Sequence, residues 1–245
     1  MSEHVVVLGA SGGIGREITR ELIARGHAVT AVARDAARLR ALAERINAPE
    51  RLTFIPQDLS DDAGAAALAR VLRERGEPVT AVVVALRSAV KSGRLLDRSA
   101  ADLRAILDRD VVTQFLAARH LLPLLAEGRQ EGGHYLLLSG PQASCAWSGY
   151  AHVSIAAAAL QMLTRALREE AKELPVVVQQ LQIGRPVRSE TNQDCACPDW
   201  IGADEVARRV VELLDRRDTQ IPLVEIGAYA PRPASSVQGV RHEAN

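Results

Sequence analysis

Lysine is nearly absent from this chain of 245 residues: Lys91 and Lys172 are the only two among thirty basic side chains, and the rest are arginine. Chemistry that needs an ε-amino group therefore has few places to be. Cysteine is scarce as well. Cys145, Cys195 and Cys197 are odd in number, and the Cys-x-Cys pair lacks further ligands at metal-site spacing. They read as free thiols, not as a disulfide framework or a zinc site, and no metal is expected. There is no excess of either charge: thirty acidic side chains balance thirty basic ones. That removes the electrostatic footprint of a nucleic-acid or membrane-surface binder. No apolar run is long enough to cross a bilayer, and Met1-Ser2-Glu3-His4 leads into a strand without a basic n-region, an apolar h-region or a cleavage site. The expectation is a cytoplasmic protein whose partners are small molecules or other proteins.

What is present begins at Val5. The run Val5-Val6-Val7-Leu8 stops at Gly9, glycines follow at 12, 13 and 15, and an amphipathic pattern starts at Ile14 and continues through Ile18, Leu22 and Ile23. That is strand, glycine turn, helix. Without Cβ atoms, the backbone N–H groups and the positive end of the helix can touch a pyrophosphate directly. The spacing Gly9-x-x-x-Gly13-x-Gly15 is looser than Gly-x-Gly-x-x-Gly, and such turns also occur for structural reasons alone. The buried strand before it and the helix after it favour a dinucleotide cradle.

Further strands are expected at His27–Ala33, Leu52–Pro56, Val79–Ala85, His134–Ser139, Val176–Gln182 and Ile221–Ile226, with helices between them. Among these are a helix capped by Asp35, one continuous helix over Ala101–Ala126, one from about Ala151 to Glu173, and one over Asp204–Arg216. Apolar strands alternating with helices imply a single α/β domain with a doubly wound parallel sheet. It is expected over residues 1–230, followed by a flexible tail over 231–245. Arg34, at the end of the second strand, together with Arg38, suits the 2′-phosphate of NADP(H); the alternative is a solvated loop arginine.

Gly9-Ala10-Ser11-Gly12-Gly13-Ile14-Gly15, Asp58-Leu59, the helix segment Leu163-Thr164-Arg165-Ala166-Leu167-Arg168-Glu169 and Ala203-Asp204-Glu205-Val206-Ala207 together resemble the short-chain dehydrogenase/reductase family. The likeness runs from Val5 to about Gly227, although Leu8 replaces the threonine of the family's glycine loop. It implies a Rossmann-like, seven-stranded sheet, NAD(P)(H), alcohol–ketone redox chemistry and a possible homo-oligomer. The cofactor contacts it implies are Gly9, Ser11, Gly12, Gly13, Ile14, Gly15, Arg34, Asp58, Leu59, Ala85, Leu86 and Gly184.

The proton-handling residues depart from the family. Aligning Leu160 and Leu163–Leu167 puts Gly140 at the family's serine, Val153 at its tyrosine, Ala157 at its lysine and Asp110 at its asparagine. Its Asn-Asn-Ala-Gly turn becomes Val84-Ala85-Leu86-Arg87. Reading Tyr150-Ala151-His152-Val153-Ser154 as the tyrosine motif needs a gap and still leaves serine where lysine belongs. Substitute proton donors are Ser139 and Tyr150, with Ser144 and His152 expected on the same loop. Their plain alternatives are a strand-end serine capping backbone, a tyrosine packing by its ring and a surface histidine. Arg87, Ser88 and Trp200 are candidate substrate contacts, and Asp110 is equally a cap or an ion-pair partner. Pro186–Trp200 is a candidate lid, with Trp200 and Trp147 either ring platforms for a planar ligand or core residues. Two functions are expected. One is an NADP(H)-dependent ketoreductase of antibiotic biosynthesis, acting on a bulky, aromatic polyketide-like substrate that polarises its own carbonyl. The other is a catalytically silent NADP(H)-binding regulator or scaffold.

Overall fold

The computed structural model describes residues 3–87, 91–128, 132–143, 145–216 and 221–227. Seven strands, β1 His4–Leu8, β2 Ala28–Ala33, β3 Leu52–Pro56, β4 Ala81–Val84, β5 Gly133–Ser139, β6 Val176–Ile183 and β9 Leu223–Ile226, form one parallel sheet in the order 3-2-1-4-5-6-9. The two-residue strands β7 Val187–Arg188 and β8 Ile201–Gly202 pair apart from it.

Because successive side chains of a strand face opposite ways, the apolar runs supply two cores at once. Val5, Val7, Val29, Ala31, Val83 and Leu136 pack on one face against helices α1 Gly13–Ala24, α2 Ala36–Ile46 and α7 Ala203–Arg216. Their neighbours Val6, Leu8, Val32, Val82, Val84, Tyr135 and Leu137 pack on the other face against α3 Asp62–Glu74, α5 Thr113–Gly128 and α6 Ala151–Glu170. The chain runs outward from β1 to β3 and then returns to β4 on the other side of β1. That reversal leaves a crevice at the carboxyl ends of β1 and β4, where ligands of doubly wound sheets bind.

The expected helix over Ala101–Ala126 is not continuous. It is α4 Ala100–Leu107 and α5, joined by one π-helical stretch, Asp108–Val112. Thr113 Oγ1 reaches back five residues to Asp108 O at 3.1 Å, and Gln114 Nε2 donates to Asp110 O at 2.9 Å. An apolar periodicity cannot register one widened turn, and such turns recur at functional sites. Strands β4 and β9 start two residues later than expected, their register pairs running from Val5↔Ala81 and Gln180↔Leu223; Pro222, just before β9, has no N–H to give the ladder. The last three residues of the expected helix ending at Glu173 form a 3-10 turn. The expected tail, residues 231–245, lies outside the described residues.

Asp35 caps α2 as expected, its Oδ1 accepting from Ala37 N at 2.9 Å and Arg38 N at 3.0 Å. Asp35→Ala is expected to cost about 1 kcal/mol of stability, read as a shifted denaturation midpoint with unchanged m-value.

Candidate active site

The glycines of the turn do different work. Gly9 has φ +81°, and a Cβ there would stand 2.6 Å from Ala85 O. A Cβ on Gly15 would stand 2.2 Å from Gly9 O. These two let the turn close against β4 and against itself. Gly12 is the N-cap of α1, where no side chain caps the helix and its first turn carries no acid. The free N–H groups and dipole of α1 are thus left open to an anion.

Two clefts flank this turn. One, about 250 Å³, is lined by Gly9, Ser11, Gly12, Arg34, Arg38, Asp58, Leu59 and Arg109. The other, about 470 Å³, runs from Gly12, Gly13, Ile14 and Gly15 past Gly140 and Tyr150 to Trp147 and Trp200. Ala85 lines both, and Leu86 the first. The expected cofactor contacts therefore gather here, with one correction. Gly184 is buried, its N–H is taken by Ile226 O at 2.8 Å, and it lines neither cleft; its neighbours Ile183 and Arg185 do. Arg109 was not anticipated, because the π turn that aims it at the cleft leaves no periodic signal. The residues present fit an extended ligand with an anionic middle at α1 and an anionic end at Arg34 and Arg38. Among the described residues, no cluster of His, Cys, Asp and Glu could hold a metal ion, and no helix is long and apolar enough to cross a membrane.

The positions aligned with the family's proton relay do converge. Asp110, Gly140, Val153 and Ala157 all line a third cavity of about 70 Å³, together with Ile14, Gln114 and Ser139. No tyrosine or lysine lines it. Arg87 and Ala85 line all three cavities. Arg87 Nη2 donates to Gln142 Oε1 at 3.0 Å. A Cβ on Gly140 would stand 2.5 Å from Arg87 Nη1 and 2.6 Å from Gln142 Oε1, so the guanidinium occupies room that a side chain at 140 would need. Arg87 is accessible through the open clefts, yet enough protein surrounds its head that desolvation lowers its pKa, an effect opposed by the charge of Asp110. Gln142 carries no motif, and only the 3-10 turn Pro141–Ala143 after β5 brings it here.

The substitute donors fall differently from expectation. Ser139 is buried and its Oγ accepts from Gln180 Nε2 at 2.7 Å, a side-chain bond instead of a backbone cap. Tyr150 is the N-cap residue of α6 and opens on the larger cleft, its ring stacked at 6.5 Å and 20° on His152. His152 is neither on a loop nor on the surface. Because α6 starts at Ala151, it lies inside the helix and is fully buried, where burial first and Arg98 second lower its pKa. Ser88 and Ser144 lie outside the described residues. Trp147 and Trp200 are half-buried on the cleft wall, not in the core, and Trp147 Nε1 donates to Cys145 Sγ at 3.0 Å.

The lid is pinned. Pairing of β7 with β8 closes its base, and Asn192 staples its first turn, accepting from Ser189 N at 2.8 Å and donating to Val187 O at 2.9 Å. Glu190 accepts from Arg16 at 2.9 Å on α1 and from Arg45 at 3.0 Å on α2, with Arg20 at 3.7 Å. The Arg16 hydrogen bond is the largest influence holding the Glu190 carboxyl below its ordinary pKa, assisted by the charges of Arg45 and Arg16. A depressed carboxylate pKa makes the latch complete above the ordinary glutamate range and loses it as pH falls through the lowered value. Protection of the 186–200 backbone amides from hydrogen exchange, taken relative to their intrinsic rate at each pH, is accordingly expected to fall on acidification. Glu190→Gln should show that lower protection already at neutral pH, and equal protection in both proteins at neutral pH would refute the latch.

With this geometry in hand, the chain's relatives decide its family. The family model for short chain dehydrogenase matches residues 3–195. The chain belongs to the short-chain dehydrogenase family. Within it, the chain is 29% identical over 191 residues to a short-chain type dehydrogenase/reductase of Sinorhizobium fredii, a match covering 78% of this chain and 71% of that one. It is 26% identical over 126 residues to the NADPH-dependent pterin aldehyde reductase of Arabidopsis thaliana, covering 51% of this chain and about half, 52%, of that protein. The fold is that of an alcohol dehydrogenase from the archaeon Thermococcus sibiricus, solved in complex with 5-hydroxy-NADP. The TM-score is 0.82 at 21% identity, over 96% of this chain and all of that one. This short-chain dehydrogenase thus has a seven-stranded parallel sheet and a closed glycine turn, and Asp110, Gly140, Val153 and Ala157 line one cavity beside them.

Proposed function

We propose that the protein is an NADP(H)-dependent reductase that transfers hydride to a carbonyl of a bulky, aromatic, polyketide-like small molecule without the family's tyrosine–lysine acid. The observation that carries this reading is the meeting of both clefts at a cavity whose four relay positions bear no tyrosine, serine or lysine. Gly12, Gly13 and the start of α1 would hold the pyrophosphate, with Arg34 and Arg38 on the 2′-phosphate. The Arabidopsis relative is NADPH-dependent by name and the Thermococcus enzyme was solved with an NADP derivative, which supports that cofactor. When bound, it supplies the hydride. Ile14, Ala85 and Ile183 form an apolar wall that keeps water from the nicotinamide end, and Trp147 and Trp200 offer ring faces to a planar substrate.

Loss of the acid is survivable. A positioned general acid contributes about 10²–10⁴ in rate, whereas holding reactants in near-attack geometry is worth about 7–11 kcal/mol. A carbonyl polarised by a neighbouring hydroxyl of the same substrate needs the acid least. The test is NADPH oxidation against a panel of hydroxy-substituted aromatic ketones. Turnover of any member supports the reading; tight NADPH binding with no turnover of any would favour the silent regulator, which the blank relay positions also suit. The pinned lid over a cleft bearing two tryptophans favours the reductase.

A further inference from the structure

We infer that Arg87 receives the negative charge that develops on the substrate's oxygen, and that the acceptor is therefore a conjugated enone, quinones included, in preference to an isolated ketone. The inference rests on the cofactor and site of the reductase reading above and changes one part of it, placing the hydride on the carbon conjugated to the carbonyl and not on the carbonyl carbon. Arg87 is the cation at the junction of the three cavities, reached both from the glycine turn and from the cleft of Trp147 and Trp200. Its direction is set by Gln142, which takes one of its five N–H groups at 3.0 Å. Gly140 leaves the guanidinium bare toward the cavity, where a Cβ would come within 2.5 Å of Nη1. The charge of Asp110 opposes the desolvation of the head.

A guanidinium gives hydrogen bonds and charge but not its proton. The oxyanion formed beside it must persist until water protonates it, so the basicity of that oxyanion selects the substrate. An isolated ketone yields an alkoxide, nearly as basic as hydroxide. A conjugated acceptor yields an enolate, and in an aromatic framework a phenolate, whose conjugate acid resembles that of tyrosine at about 10. The first needs a proton as it forms; the second can be held by Arg87 alone. In the step, hydride forms a C–H bond at the β-carbon and the C=C pair moves to the bond between the α-carbon and the carbonyl carbon. The carbonyl π pair then comes to rest on oxygen against Arg87. The substrate gains the two electrons that the reduced nicotinamide loses, and solvent supplies the proton.

The full-length protein is tested with menadione and acetophenone as acceptors, and with 2-naphthol as a product-like probe in the presence of NADP⁺. Menadione is expected to be reduced in preference. Arg87→Met should lower kcat/KM for menadione by about 10²–10³-fold, the loss typical of one oxyanion donor, with Arg87→Lys retaining part of the rate. Bound 2-naphthol should ionise at lower pH than free 2-naphthol, and that shift should vanish in Arg87→Met. NADPH titration shows that each variant keeps its folded site. Preference for acetophenone overturns the inference and leaves the reductase reading standing. Wild-type menadione turnover and unchanged naphthol ionisation in Arg87→Met do the same. Tight NADPH binding with no turnover of either acceptor overturns the reductase reading and this inference with it.

Discussion

Alanine at both Arg34 and Arg38 is expected to lower the preference for NADPH over NADH by about 10²-fold. Both arginines line the cleft beside Ser11 and Asp58, at the carboxyl end of β2 where an adenosine ribose lies in this fold. A hydrogen bond to a charged group contributes about 1.5–3 kcal/mol, so two would supply about 10²–10⁴ in the ratio. Both side chains are exposed, which puts the expectation at the low end because solvent and salt screen them. The preference should also weaken as ionic strength rises. Affinities for both cofactors, measured by fluorescence titration at two salt concentrations, check it. An unchanged ratio would assign the arginines to solvent and the phosphate to another group, with Arg109 next in line.

Gly15→Ala and Gly12→Ala are expected to separate the structural and ligand-facing halves of the glycine turn. At Gly15 the added methyl meets Gly9 O at 2.2 Å and Gly9 C at 2.8 Å, both backbone atoms of the turn itself. Neither can yield without moving β1 or α1, so the cost is that of overpacking, about 1–3 kcal/mol, with NADPH binding lost as the turn opens. At Gly12 the nearest atom to the new methyl is Gly9 O at 3.2 Å, and the backbone, φ −78°, suits any residue. The fold should survive there, while the methyl obstructs the approach to the helix N-terminus and weakens NADPH at least tenfold, about 1.4 kcal/mol. Thermal denaturation and cofactor titration of both variants decide the matter. Equal destabilisation by the two would mean that Gly12 is structural too.

Much of the cofactor half was legible in order along the chain. The valines of β1, the glycines and the period of α1 are local patterns, and alternation of strands with helices restricts the topology to few solutions. Nine of the twelve expected contacts rest only on those patterns and the family likeness; Ala85 and Leu86 follow from their place after β4. Gly184 misled because a glycine after a strand can serve a ladder hydrogen bond as well as a ligand, and only the pairing of β6 with β9 tells which.

The catalytic half divides more sharply. The sequence by itself determined which residue types line the site: Gly140, Val153 and Ala157 cannot transfer a proton, whatever surrounds them. It also determined the strand–turn–helix cradle, since backbone conformation and hydrophobic period are properties of neighbours in the chain. Only the tertiary structure decided what stands beside Gly140. Arg87, Gln142 and Asp110 come from three separate connections, and an arginine in a loop carries no signal that its guanidinium turns toward Gly140. The burial of His152 and the seating of Glu190 among arginines of two helices were decided in the same way. Contacts between residues far apart in the chain depend on packing, which no local pattern encodes.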